Sequence, residues 1–204
     1  TMARLPDLIK FAQSHSINIG TIADLIAYRL NHDKIIKRSL ESTFENYLGG
    51  KYKLYVYVNS VEYAEHIALV KGDLSKKGPT MVRVHVLNIL DDVLGDIHNG
   101  KAGELKEILH MINQSDKGVL VLIRDPLKSG LSDQIKSRDG SSEAQLENLT
   151  TATELRDYGV GAQILIDLGV KDMIVLSNTE RTLIALEGFG LSITEHRPIN
   201  ISKE

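Results

Sequence analysis

Between Arg83 and Lys101 the chain sets out a dense run of groups able to bind cations or anions. Arg83 and His85 sit two apart in Val82-Arg83-Val84-His85-Val86-Leu87-Asn88, and Asp91, Asp92, Asp96, His98, Asn99 and Lys101 follow. Asp91, Asp92, Asp96 and His98 are competent oxygen and nitrogen donors for a metal ion. They serve equally as solvated turn formers and helix N-caps. Ligand geometry must be met closely before such a cluster holds a metal, so the plainer role is the expected one. Asn88 and Asn99 offer amides, which are poor ligands for a borderline-soft cation, and the Lys101 ammonium has no lone pair at neutral pH. The chain contains no cysteine, which excludes disulfides and thiolate catalysis. A second pair, Glu154 and Arg156, reads on its own as a salt bridge at a helix start, with Glu154 favoured in the first turn and Arg156 packing its stem.

The surrounding pattern says what must hold these groups. From Lys51 the sequence alternates, with Tyr52, Leu54, Val56 and Val58 on one face and Lys51, Lys53, Tyr55 and Tyr57 on the other, as in a half-buried strand. Further strands are expected at Ile67–Val70 and Met81–Val86, separated by turns at Gly72-Asp73 and Lys76-Lys77-Gly78-Pro79. Helical spacing of Leu105, Ile108, Leu109 and Ile112 predicts a helix from Glu104 to Ile112. The unbroken apolar run Gly118–Ile123 predicts a strand buried on both faces. Asp157–Leu168 and Glu180–Phe189 read as helices, and Asp172–Leu176 as a strand. The polar stretch Asp139–Leu149 reads as a loop. Ahead of all this, Pro6 suits the first turn of a helix carrying Leu5, Leu8, Ile9 and Ala12. A second amphipathic stretch runs from Ile22 to Leu30, with Thr21 as its N-cap.

At 204 residues, 42% hydrophobic and 25% charged, the chain can bury one main core with an appendage. A net charge of −3 argues against broad attraction to nucleic acid or an anionic membrane. No apolar run approaches a membrane span, and no signal peptide opens the chain. A cytoplasmic protein without nucleic-acid or membrane partners is the simplest expectation.

Several fragments carry a resemblance. Glu65-His66-Ile67-Ala68-Leu69-Val70-Lys71-Gly72-Asp73, Arg83-Val84-His85, the run Arg156–Val170, and Leu186–Leu191 followed by Glu195-His196-Arg197-Pro198 occur in the order and spacing of GTP cyclohydrolase II. The resemblance spans Lys51 to Pro198. It implies an α/β (mixed α+β) fold, with mixed sheets flanked by helices, and commonly a homodimer. The N-terminal Met2-Ala3-Arg4-Leu5-Pro6-Asp7-Leu8 and Ile19-Gly20-Thr21-Ile22-Ala23-Asp24-Leu25-Ile26 resemble the end of 3,4-dihydroxy-2-butanone 4-phosphate synthase, which is often fused ahead of the cyclohydrolase. The expected organisation is a synthase remnant over 1–32, a helical linker over 33–50 and a cyclohydrolase-like domain over 51–204, cut from a longer bifunctional polypeptide whose synthase would be the intramolecular partner.

In that family three cysteines hold a zinc ion that activates water for attack on the purine of GTP, with release of formate and pyrophosphate. The matching positions here are Asn88, Asn99 and Lys101, so no zinc cofactor is expected. The family's Ser-Glu pair after R-V-H becomes Val86-Leu87, and its Glu-Gly phosphate loop becomes Pro126-Leu127. Its base and arginine become Glu154 and Arg156. Arg83 matches a pyrophosphate contact, Lys128 retains a positive charge, Ser177 replaces a threonine, and Arg181 stands beside Thr182, which replaces a phosphate-binding lysine. The resemblance therefore implies a catalytically silent domain of riboflavin biosynthesis. An enzyme with an altered metal site and a module that holds a nucleotide or flavin without turnover are the alternatives.

Overall fold

The computed structural model describes residues 5–20, 28, 33, 35–61, 63–98, 100–124, 132, 135, 146–178 and 190–201, with backbone alone for 5 and 146–156. The chain divides into two units, Thr1–Asp33 and Lys34–Glu204. In the first, α1 (Leu5–His15) begins at the residue before Pro6, where the missing N–H costs nothing. The expected second helix at Ile22–Leu30 lies outside the described residues, apart from Tyr28.

The second unit is built on one seven-stranded sheet: β1 (Ile36–Glu45), β2 (Lys51–Asn59), β3 (Ala64–Lys71), β4 (Thr80–Val86), β5 (Gly118–Ile123), β6 (Asp172–Leu176) and β7 (Ser192–Arg197). Their spatial order is β1-β2-β3-β5-β4-β6-β7. The β1, β2, β3 and β5 pairings are antiparallel, and β5, β4, β6 and β7 run parallel. The mixed α/β class is thus realised as a single sheet whose character changes at β5. A helix covers each face of the central strands. Ile108 and Ile112 of α2 (Glu104–Gln114) pack with Leu69, Met81 and Leu120, while Val160, Ile164 and Leu165 of α3 (Leu146–Asp167) pack with Val82, Val84, Val119 and Val121. As its unalternating sequence predicts, β5 is buried on both sides.

Three expectations are corrected. The segment 33–50 is not a helical linker, because Ile36–Glu45 is an edge strand paired with β2 from Ile36↔Asn59 to Glu45↔Lys51. Ile36, Leu40 and Phe44, spaced by four, mimic a helix, but nine of the ten residues are exposed and backbone pairing fixes the strand. The strand β2 is not simply half-buried: Tyr55 and Tyr57 of one face are buried in the core on the α3 side, and Tyr52 of the other face is buried as well. The Tyr57 hydroxyl donates to Asp167 Oδ2 at 2.7 Å, and Arg38 of β1 stacks 4.5 Å over the Tyr55 ring while binding the same carboxylate. Burial pushes the Tyr57 hydroxyl pKa upward, so it stays a donor. Finally, α3 starts at Leu146 instead of Asp157, so the expected loop ends earlier; 139–145 and the expected helix at Glu180–Phe189 lie outside the described residues.

Close contact between α3 and β4 depends on Gly161. A Cβ there would meet Val84 Cγ1 at 2.6 Å, closer than carbon atoms approach. This contact fixes the strand from which the candidate site projects.

Candidate functional site

Strand alternation turns Val82 and Val84 toward α3 and leaves Arg83 and His85 on the other face of β4. Beyond Val86 the chain enters a five-residue π-helical turn, Ile89–Val93. The turn and the start of α2 close a cleft of about 200 Å³ lined by Arg83, His85, Asn88, Asp92, Lys101 and Glu104, among others.

The polar groups of this cleft are largely spent on one another. Asn88 is the N-cap of the π-helical turn: its Oδ1 accepts from the Leu90 N–H at 2.9 Å, and its Nδ2 donates to Asp91 Oδ2 at 3.0 Å. Asp92 accepts the Asn88 N–H at 2.8 Å, and both its oxygens lie 2.9 Å from His85 Nε2. Burial pushes the Asp92 carboxyl pKa up, but the hydrogen bonds from His85 and Asn88 and the charges of His85 and Arg83 outweigh it and hold it below the ordinary carboxylate value. An ionised carboxylate only accepts, so His85 Nε2 carries a proton; His85 Nδ1 is buried without a hydrogen-bond partner among the described residues. Arg83 donates to Glu104 Oε1 at 2.7 Å and to the Leu176 carbonyl at 3.0 Å, with both ion-pair side chains mostly buried.

The turn inverts the usual polarity of a surface loop. Asp91 and Asp92 point inward, whereas Ile89, Val93, Leu94 and Ile97 are exposed. Asp91 and Asp92 are therefore not solvated loop residues. Asp96 and His98 do form a local turn, with the His98 N–H donating to Asp96 Oδ1 at 3.1 Å and the ring bonded to the same oxygen.

Of the residues singled out in the sequence, the structure brings together Arg83, His85, Asn88, Asp91, Asp92 and Lys101. Ser177 is fully buried, with its N–H on the Arg197 carbonyl, and is not among the residues lining the cleft. Glu154 and Arg156 lie on α3, with side chains outside the description; Asn99, Lys128 and Arg181 lie outside the described residues altogether. Sequence reasoning missed Glu104 as the partner of Arg83 and Asp92 as the partner of His85. Period-two spacing could have put Arg83 and His85 on one face, but partners 21 and 7 residues away leave no local signal.

These residues do not fit zinc. The Asn88 amide is consumed at both ends by the turn, Lys101 is an exposed ammonium, and no group of three or more His, Asp or Glu side chains converges as a ligand set among the described residues.

The GTP cyclohydrolase II family model matches residues 37–198. The riboflavin biosynthesis protein RibBA of Synechocystis is 39% identical over 210 residues, covering 98% of this chain and 37% of that protein. RibBA of Aquifex aeolicus is 38% identical, covering 98% of this chain and 51% of that protein. A crystal structure of RibBX from A. baumannii, described as a two domain 3,4-dihydroxy-2-butanone 4-phosphate synthase, superposes with a TM-score of 0.61 at 33% identity, over 97% of this chain and 50% of that one. The chain thus spans about half the length, or less, of these relatives. With the family model running from β1 to the end of β7, the chain belongs to the GTP cyclohydrolase II family.

Proposed function

We propose that this domain has kept the GTP cyclohydrolase II fold and given up its zinc chemistry, and that it serves a synthase in the same longer polypeptide as a structural, dimerising or regulatory unit of riboflavin biosynthesis. The observation that carries the reading is Asn88. At a position where the family resemblance places a zinc ligand, both ends of the amide hold the π-helical turn, so the residue has acquired a folding role in place of a coordinating one. The charge of the cleft supports the same reading. Among the described residues that line it, Asp91, Asp92 and Glu104 outnumber Arg83 and Lys101, and Arg83 is already neutralised by Glu104, so a triphosphate would have to displace a mostly buried ion pair. The cleft is also smaller than the roughly 300–1,000 Å³ usual for small-molecule sites.

RibBX supports the accessory role, since that two-domain protein is described as a 3,4-dihydroxy-2-butanone 4-phosphate synthase. The test uses a polypeptide that carries a complete synthase domain together with this domain. Synthase turnover should be present, and GTP should yield no formate. Formate release at a rate of the order of 1 s⁻¹, within the usual enzyme range, would refute the reading.

A further inference from the structure

On the face of the sheet that carries α2, beside the C-terminal end of that helix, lies a larger hollow of about 770 Å³. It shares no described lining residue with the cleft at the other end of β4. Its floor is apolar. Met81 of β4 and Ile174 of β6 are register neighbours, and Met111 of α2 and Pro79 extend the surface they form. Its described rim holds four cations, Lys76, Lys77, Lys117 and Arg197, against one carboxylate, Asp116.

The cations are not equivalent. Arg197 is satisfied by Glu195 at 2.7 Å, and Lys76 and Lys77 are exposed and can remain hydrated. Lys117 is only 8% exposed, and its ammonium donates to the Lys76 carbonyl. It forms no ion pair with any described carboxylate, although Asp116 precedes it in sequence. With one carbonyl partner and no carboxylate among the described residues, the Lys117 ammonium has two N–H donors left for a ligand in the hollow it lines. The sequence anchors this charge. Lys117 leads directly into β5, and the loop bearing Lys76 and Lys77 is held by the Ser75 N–H and hydroxyl donating to Asp73 at 3.0 and 2.7 Å.

We propose that this hollow binds a phosphorylated small molecule with a flat apolar part, the Lys117 ammonium with Lys76 and Lys77 holding the phosphate while Met81, Met111 and Ile174 receive the apolar ring. Its volume falls within the usual range for such sites, and a phosphate supplies both the missing counter-charge and acceptors for the free donors.

The experiment is calorimetric titration of the full chain at low salt with AMP, inorganic phosphate and adenosine as probes. AMP should bind, about tenfold or more tightly than adenosine, and its affinity should fall as salt rises. Lys117→Met should weaken AMP at least about tenfold while raising the melting temperature, because it removes a mostly buried charge without changing the volume much. Lys76→Glu with Lys77→Glu, on an exposed loop that tolerates substitution, should weaken AMP equally and decides the matter if the first variant folds poorly. Absence of AMP and phosphate binding at millimolar concentration, adenosine binding as tightly as AMP, or wild-type affinity in the Lys76/Lys77 double variant would overturn the proposal.

Discussion

The stretch of β4 that packs under α3 and the turn that leaves its end lie within a dozen residues of each other, yet they answer to different demands. Val82 and Val84 are buried against α3, which comes so close that Gly161 has no room for a Cβ. A few residues on, Asn88, Asp91 and Asp92 satisfy one another, and the apolar side chains of the turn face outward. Packing of the first kind tolerates little change in volume, whatever the protein does. A catalytic loop is constrained by chemistry, and once that constraint lifts its polar groups can be rewired into local hydrogen bonds. The packing of β4 against α3 and the hydrogen bonds of the turn draw on separate sets of residues, so a change in one need not disturb the other.

Variants can break or sharpen this contrast. The largest expected effect is in the core: Ile164→Ala, at a fully buried position on α3, should cost about 2–5 kcal/mol in urea unfolding. In the cleft, Glu104→Gln leaves the Arg83 guanidinium mostly buried and unpaired, and a loss of about 3 kcal/mol is expected, near the lower end for a broken buried pair. Replacing both residues by leucine should recover much of it; failure to recover would mean that the pair matters beyond its charge.

Asp92 gives a pH signature. Its folded-state pKa is depressed, so its contribution to stability is fully present above the unfolded carboxylate value of 3.8 and is lost as pH falls through the lower folded value. Acid unfolding of Asp92→Asn should lack that component, whereas an unchanged acid limb would remove the carboxylate from the account. Smaller still, Asn88→Ala should cost about 1 kcal/mol, as for loss of an N-cap, and Lys101→Ala less than about 0.5 kcal/mol. If either cost as much as Ile164→Ala in the same melts, loop and core could not be governed separately.

How much of this was legible in the sequence depended on where the determining contacts lie. The run Gly118–Ile123 and the spacing of Leu105, Ile108, Leu109 and Ile112 announced β5 and α2, because burial there follows the local period. β1 was misread since an edge strand exposed on both faces carries no alternation, and its pairing with β2 is a backbone matter. Alternation put Tyr55 and Tyr57 on one face of β2 but did not show that this face is covered, since the core residues and the Asp167 carboxylate that meet them are distant in the chain. The absence of cysteine could be read directly, but the hydrogen bonds of Asn88 within the turn and the pairing of Arg83 with Glu104 could not, since each requires the turn and α2 to be in place.

The central claim, that the β4 cleft no longer performs zinc chemistry, is tested most directly by measuring zinc content and GTP-dependent formate release together on the purified protein. The account predicts zinc well below one equivalent per chain, and formate at background with or without added zinc. One equivalent of zinc accompanied by formate release that Glu154→Gln abolishes would contradict it.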